Sequence, residues 1–168
     1  DEMRMFLRKN RVERDPLAVT MSGIRLGERA LQIGEGDTRV MALIAARTGL
    51  TGRAVIVVLD DAAASRVRRA VDNAGALAEV GVVDRGDRPE DGAFDVIVVH
   101  DVQRTIASPD NAVHAGWLQS SLRVLRGGGR IVTIERGSPV GFRAWFGGAK
   151  GAQTGRDQSE AVLTSAGF

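Results

Sequence analysis

The sequence predicts one α/β domain built on a doubly wound, mostly parallel sheet. Five short apolar runs are rich in β-branched residues and lack the alternation of apolar and polar residues that marks a half-exposed strand. Helical patterns lie between most of these runs, and strands that alternate with helices indicate βαβ crossovers. The length of 168 residues suits a single domain with a sizeable core.

The chain divides into two predicted parts. Residues 1–22 form an N-terminal basic helical segment, and residues 23–168 form the α/β domain. A short helix at residues 16–21 closes the first part, with Asp15 as its N-cap because aspartate accepts hydrogen bonds from the first turn. The two parts are therefore expected to differ in amino-acid composition and in function.

The start of the N-terminal segment, residues 3–14, carries four Arg and one Lys on a predicted amphipathic helix. Met3, Phe6 and Leu7 share one side of it at helical spacing. This helix either packs its apolar side on its own domain or docks on an acidic surface, on anionic lipid or on a partner subunit. The sequence leaves both alternatives open.

The remaining elements follow from the apolar runs and from the helical periodicity between them. Strands are predicted at residues 29–33, 53–59, 79–83, 94–99 and 130–134. Helices are predicted at residues 38–48, 62–73 and 111–126. The last helix is expected to stop at the run of three glycines, Gly127 to Gly129, because glycine readily adopts the left-handed conformation of a helix end.

The composition excludes several classes of protein. The chain has no Cys, which removes disulfide scaffolds, thiol catalysis and cysteine zinc sites. Two histidines, His100 and His114, are too few for most metal sites, so no metal site is predicted. No apolar run approaches the roughly 20 residues of a membrane-spanning helix, and no leader peptide is visible. We therefore expect a cytoplasmic protein, with peripheral contact to a membrane surface as one use of the basic helix.

The charge balance does not predict a nucleic-acid site. Lys and Arg total 23 against 21 Asp and Glu, a net charge of +2, yet the isoelectric point is 9.9. Almost all of the cations are Arg and there is no Tyr or Cys, so few groups titrate between neutrality and the arginine range. A nucleic-acid surface needs clustering of charge as well as its sign.

A glycine turn follows the first predicted strand and opens a helix. Gly34 and Gly36 permit a tight turn and close approach of a ligand to the backbone. A dinucleotide fingerprint would place its third glycine where Arg39 stands. The carboxylates of Glu35 and Asp37 would also repel a pyrophosphate, so a dinucleotide is disfavoured in this loop.

Polar residues follow the other strands as well. Asp60 ends the second strand, where its carboxylate can accept both hydroxyls of a ribose or simply cap the next helix. Asp84 and Arg85 follow the third strand, and His100 and Asp101 follow the fourth. Because the carboxyl ends of parallel strands share one edge of the sheet, these residues are expected to form one site.

Taken in order, these pieces resemble the class I S-adenosylmethionine-dependent methyltransferases, especially those that methylate small molecules and quinone rings. The resemblance covers roughly residues 20–168 and implies their Rossmann-like fold. The matching pieces are LGERALQIGEG at 26–36, the acidic Asp60, the Asp84 or Asp87 turn, FDVIV at 94–98, RVLRGGGR at 123–130, and the C-terminal SAGF.

The resemblance implies a role for each position. Gly34, Glu35 and Gly36 would form the cofactor loop under the methionine part of S-adenosylmethionine. Asp60 would hold the ribose hydroxyls. Asp84 and Arg85 would flank the adenine. His100 would face the substrate and is the candidate catalytic base, the alternative being a structural histidine at a strand end.

Three departures from the family's pattern bear on function. Gln32 stands where the family usually has an acid, which removes a charge-assisted hydrogen bond worth roughly 1.5–3 kcal/mol. Thr38 replaces the third glycine of the loop, and the turn at residues 84–94 is rich in charge. The family's last two strands have no counterpart here, so the fifth strand is expected to lie at an edge.

Two functions from different classes remain open. The first is an S-adenosylmethionine-dependent methyltransferase that acts on a small, lipophilic molecule. The second is a methyltransferase-fold subunit that has lost the cofactor and docks in a larger, membrane-associated assembly. The predicted partner contacts are residues 3–14 and the segment 141–146, which contains three aromatic residues. Another kind of nucleotide-binding enzyme is the remaining alternative.

Overall fold

The computed structural model describes residues 16–83, 90–101 and 120–135, and it contains the predicted parallel sheet. The five strands are β1 (Arg29–Glu35), β2 (Arg53–Val58), β3 (Glu79–Val82), β4 (Phe94–Asp101) and β5 (Leu125–Glu135). They are ordered β3-β2-β1-β4-β5, and every neighbouring pair is parallel. The doubly wound fold class predicted from the sequence is therefore confirmed.

Three helices precede or connect the first strands: α1 (Leu17–Met21), α2 (Thr38–Thr48) and α3 (Asp61–Ala74). Asp37 caps α2 by accepting the backbone N–H of Arg39 at 2.9 Å, and Asp60 caps α3 by accepting that of Ala63 at 2.6 Å. Pro16 is the N-cap of α1, and the predicted cap Asp15 lies outside the described residues. None of the helices in this part of the chain is long and apolar enough to cross a bilayer.

The core lies on both faces of the sheet. On one face, α1, α2 and α3 cover the strands; buried residues there include Val19, Met41, Ile44, Ile56, Val58, Val67, Val96 and Val98. The opposite face buries Leu31, Ile33, Phe94, Ile97, Val99 and Val124. Burial on both faces holds for β1 and β4 at the centre, whereas β3 and β5 at the two ends of the described sheet are partly exposed.

The boundary between the last predicted helix and strand is wrong. Residues 120–124 are helical, but β5 begins at Leu125, so the helix does not reach residue 126 and the strand starts before residue 130. Phe94 pairs with Leu125, and Val96 pairs with Arg130. Four residues of β5 therefore oppose a single residue of β4, and the three glycines form this bulge instead of ending a helix.

Ion pairs join the amino ends of neighbouring strands. Asp95 on β4 accepts the backbone N–H of Arg29 on β1 at 2.7 Å and lies 2.6 Å from the Arg126 guanidinium on β5. Arg53 on β2 donates to both carboxylate oxygens of Glu79 on β3, at 2.9 and 3.1 Å. Some of the arginines therefore form ion pairs at the amino edge of the sheet, opposite the edge where the polar residues lie.

The ion pair with the most hydrogen bonds joins β5 to the segment before β1. Arg130 donates to both carboxylate oxygens of Glu28, at 2.7 and 2.8 Å, and to the carbonyl oxygen of Gly23 at 2.7 Å. The Glu28 side chain is only 15% exposed. The hydrogen bonds from Arg130 are the main reason why the pKa of Glu28 lies below its ordinary value.

Removing the Arg130 side chain (Arg130→Ala) is expected to lower the free energy of unfolding at pH 7 by about 1–3 kcal/mol, because a mostly buried carboxylate loses two charge-assisted hydrogen bonds. Because the pKa of Glu28 is lowered by folding, the pair stabilises the fold above pH 4.5, and this stabilisation is lost as the pH falls through the lower folded pKa. Urea unfolding followed by circular dichroism should therefore show the gap between wild type and variant narrowing in acid.

The matched control is Arg123→Ala. The Arg123 guanidinium lies 3.6 Å from Asp91, and the two side chains are 62% and 71% exposed. Such surface pairs contribute about 0–1 kcal/mol. Equal losses in the two variants, or a gap that does not change with pH, would contradict the stabilising role of the Arg130–Glu28 pair.

Candidate functional site

Predicted site residues collect at the carboxyl edge of the two central strands. The strand order reverses between β1 and β4, because β1 leads through α2 to β2 on its other side. In open α/β sheets, ligands bind in the crevice at such a switch point. The register there pairs Gly34 with His100, and Glu35 with Asp101. The fold thus brings Gly34, Glu35 and His100 together, although they are far apart in sequence.

The β1–α2 loop, residues 34–37, lies directly on His100. Gly34 has a φ of +103°, and a Cβ there would collide with the His100 carbonyl oxygen. A Cβ on Gly36 would lie 2.8 Å from His100 Nδ1 and 3.2 Å from its Cβ and Cγ. Both glycines are therefore required by contact between the loop and β4, whether or not a ligand approaches from the other side.

A buried amide links this histidine to the helix that follows the loop. Gln32 is completely buried, and its Nε2 donates to the Met41 carbonyl oxygen in α2 at 2.8 Å. Its Oε1 lies 2.9 Å from His100 Nε2. Since the amide nitrogen is used on Met41, its oxygen faces the imidazole, and His100 Nε2 must carry the hydrogen. We call these two hydrogen bonds the Gln32–His100 bridge.

The environment of His100 sets its chemistry. The residue is 3% exposed, and burial lowers the pKa of its imidazole to about 4. It is therefore neutral at pH 7, with its Nε2 hydrogen engaged by Gln32 and its Nδ1 beneath Gly36. Of the two alternatives left open by the sequence, this geometry favours the structural histidine. The catalytic assignment stays a prediction.

Asp60 has the position expected from the sequence and serves one of its two predicted uses. Its Oδ1 accepts the backbone N–H of Ala63 and caps α3. The residue is exposed at the end of β2, and this cap does not use Oδ2. A carboxylate can accept several hydrogen bonds at once, so the cap leaves room for a ligand hydroxyl.

A cavity of about 70 Å³ lies between the loop and the first turns of α3. Its lining combines loop and helix residues: Gly34, Glu35, Gly36, Thr38, Met41, Val58, Ala63, Arg66 and Val67. Sites for whole small molecules usually measure about 300–1,000 Å³. The cavity can therefore take only one small end of such a ligand, and the rest would lie along the open edge of the sheet.

Several predicted residues fall outside the described ranges. Asp84 and Arg85, the predicted adenine contacts, lie between β3 and β4 in the undescribed residues 84–89. The predicted partner contacts at residues 3–14 and 141–146 also lie outside the described chain. These assignments stay predictions.

Known proteins of similar sequence and structure identify the superfamily of this chain. No model of a known protein family matches the chain. Over 125 residues, 73% of the chain, it is 32% identical to the ubiquinone/menaquinone biosynthesis C-methyltransferase UbiE of Idiomarina loihiensis. A crystal structure of a SAM-dependent methyltransferase from Aquifex aeolicus has a TM-score of 0.61 at 14% identity, covering 89% of this chain and 76% of that one.

The chain belongs to the class I S-adenosylmethionine-dependent methyltransferase superfamily. The resemblance stated from the sequence is thus confirmed. The match covers 48% of the Idiomarina protein, so the chain spans about half the length of the curated relatives it matches.

Membership of the superfamily does not by itself fix the reaction. The [4+2]-cyclase SpnF also shares the fold, with a TM-score of 0.61 and 18% identity over 90% of this chain and 54% of that one. Within one fold, the reaction depends on the residues of the site.

The described residues fit S-adenosylmethionine at its ribose. Asp60 presents an exposed carboxylate at the end of β2, with Oδ2 outside the helix cap. The backbone from Gly34 to Gly36 lies at the end of the neighbouring strand β1 and carries no side chain at either glycine. The cavity is too small for the nucleoside, which would have to lie above the edge of the strands.

The sequence analysis missed two features of this site. It treated Gln32 only as a lost acid, whereas the amide connects β1, α2 and β4. Arg66 was not among the predicted site residues, whereas this exposed arginine of α3 lines the cavity. The buried hydrogen bonds of Gln32 could have been predicted, because a polar residue inside a strand buried on both faces needs a buried partner.

Adding a methyl group at Gly36 (Gly36→Ala) is expected to lower the free energy of unfolding by about 1–3 kcal/mol, because the new Cβ would press on the buried imidazole. Gly34→Ala should cost more, since its Cβ would meet backbone and its φ of +103° disfavours alanine. Urea unfolding monitored by circular dichroism measures both changes.

Gly81→Ala on β3 is the matched control. A Cβ at Gly81 has no heavy atom within 4 Å, and the residue has an ordinary strand conformation. Little change, or a gain of up to about 1 kcal/mol, is expected there. If Gly36→Ala were as harmless as Gly81→Ala, the close contact between the loop and His100 would be refuted.

Proposed function

We propose that this domain binds S-adenosylmethionine along the carboxyl edge of β1 and β2 and serves methyl transfer to a small, lipophilic molecule. The observation that carries the proposal is the exposed carboxylate of Asp60, which follows β2 at the edge where this strand pairs with β1, the strand that leads into the Gly34–Gly36 loop. The relative that is 32% identical is named for ubiquinone and menaquinone biosynthesis. This name supports a quinone-type ring as the substrate class.

Each part of the site has a distinct task in this proposal. Asp60 Oδ2 accepts the ribose hydroxyls, while Oδ1 keeps the helix cap. The loop backbone supports the amino-acid end of the cofactor, and Glu35 lies at the end of β1 beside it. When bound, S-adenosylmethionine supplies an electrophilic methyl group on a sulfonium.

Alignment is the main catalytic contribution expected of this chain. Holding a nucleophile in line with a methyl group converts an encounter into an intramolecular event, which can supply several kcal/mol of the barrier. His100 is 3% exposed and its Nε2 is engaged by Gln32. In the proposed reaction, the task of the described residues would be to bind and orient the two reactants.

The non-catalytic subunit remains the second candidate. It is favoured by the inward amide of Gln32, which is fully used inside the protein and offers no charge to a cationic ligand. A single binding measurement separates the two candidates.

Calorimetric titration of the protein with S-adenosylmethionine and S-adenosylhomocysteine should show binding that Asp60→Asn weakens by at least about tenfold. Asparagine caps helices as well as aspartate does, so this change keeps the cap and removes the charged acceptor. A hydrogen bond to a charged group is worth about 1.5–3 kcal/mol, or roughly 10- to 150-fold in affinity.

Asp61→Asn is the control, because it removes a neighbouring negative charge from the same helix start. It should leave the affinity within about threefold, which corresponds to less than 1 kcal/mol. Wild-type protein that binds neither ligand at millimolar concentration would refute the enzyme and support the non-catalytic subunit. Equal effects of the two variants would remove Asp60 from the site.

A further inference from the structure

We propose that Gln32 and His100 are positioning residues, whose buried bridge sets the conformation of the β1–α2 loop. The bridge is a property of the protein without ligand. Its use in binding a cofactor rests on the proposed function, whereas its effect on the loop does not. The two parts can therefore be tested separately.

The bridge holds the loop from three sides. Gln32 lies on β1, two residues before Gly34, and its Nε2 reaches the Met41 carbonyl oxygen on α2 at 2.8 Å. This bond joins the strand before the loop to the helix after it. The same amide holds His100 at 2.9 Å, so the imidazole lies under Gly36.

The polarity of the bridge distinguishes it from ordinary core packing. In the register of the sheet, the neighbours of Gln32 are Ile56 on β2 and Val98 on β4, both apolar and fully buried. A buried amide and imidazole cost free energy unless their hydrogen bonds are made. In return they are directional, because only one amide orientation and one tautomer satisfy both bonds. An apolar pair would fill the space without fixing the loop.

Gln32→Glu tests this directionality with almost no change of shape. When ionised, the introduced carboxylate accepts only, so it can keep the imidazole N–H but faces the Met41 carbonyl oxygen with a second oxygen. When protonated, it donates to that carbonyl and accepts from His100, as the amide does. The variant should therefore have a disturbed loop in alkaline solution and a restored loop in mildly acidic solution.

The experiment measures amide hydrogen exchange at residues 36–38 and the affinity for S-adenosylhomocysteine, at pH 9 and pH 6. In wild-type protein, amide protection is corrected for intrinsic exchange and should differ by less than about twofold between pH 9 and pH 6. The affinity should also differ by less than about twofold. Gln32→Glu should lose at least about tenfold in amide protection at pH 9, the effect of one lost hydrogen bond, and regain most of it at pH 6.

In the described part of the chain, the elements around the bridge carry other charged groups. They are Glu35 and Asp37 beside the loop, Arg39 on α2, Asp101 on β4, Glu135 on β5 and Arg66 on α3. The wild-type measurement over the same pH range contains their contribution. Ile56→Val is the core control, because it shortens the register neighbour of Gln32 and should leave loop exchange and its pH dependence unchanged.

A second variant covers the case in which Gln32→Glu does not fold. The double change Gln32→Met with His100→Leu replaces both polar partners by apolar groups, which cores tolerate better than a single orphaned partner. It should fold but lose at least about tenfold in loop protection at pH 6 and pH 9 alike.

Three results would overturn the positioning role. They are wild-type behaviour of Gln32→Glu at both pH values, an equal loss at both, or wild-type loop protection in the double variant. Failure of the proposed function looks different. In that case, wild-type protein would not bind S-adenosylhomocysteine. The amide exchange of Gln32→Glu would still show lower loop protection at pH 9 than at pH 6.

Discussion

The amide of Gln32 makes two hydrogen bonds inside the protein, one to the Met41 carbonyl oxygen at 2.8 Å and one to His100 Nε2 at 2.9 Å. Through them, β1, β4 and α2 meet at the switch point of the sheet. The two glycines of the β1–α2 loop are required by His100, because its backbone lies where a Gly34 side chain would be and its imidazole lies where a Gly36 side chain would be. In the proposed role, the bridge positions the loop because Gln32 joins β1 before the loop to α2 after it, and because His100 lies under Gly36.

The fold was predictable because its signals are local. Apolar runs located all five strands, and periodicity located α2 at residues 38–48 without error. The end of β4 and the start of β5 were not predictable in this way. Three glycines after a helical pattern indicate a helix end, but here the pairing of Leu125 with Phe94 extends the strand and places them in a bulge. That pairing is a contact between distant segments, which local propensity does not contain.

The sequence predicted which residues belong to the candidate site better than it predicted what each of them does. The sequence singled out Gly34, Gly36, Asp60 and His100, and register brings the first and last of these together. It could not show which way each side chain faces. His100 faces inward to Gln32 and is buried, whereas Asp60 caps α3 and stays exposed. The relation between Gln32 and His100, 68 residues apart, comes only from the strand order.

The protonation state of His100 tests the bridge most directly. Long-range proton–nitrogen correlation spectra of nitrogen-15-labelled protein report the tautomer and the pKa of each imidazole, and a His114→Gln variant assigns the two histidines. The bridge predicts a hydrogen on Nε2 of His100, and the burial of the imidazole, which lowers its pKa to about 4, predicts the neutral form at pH 7. A neutral ring with its hydrogen on Nδ1 would contradict the bridge, and a titration near the ordinary pKa of 6.5 would contradict the burial of the ring.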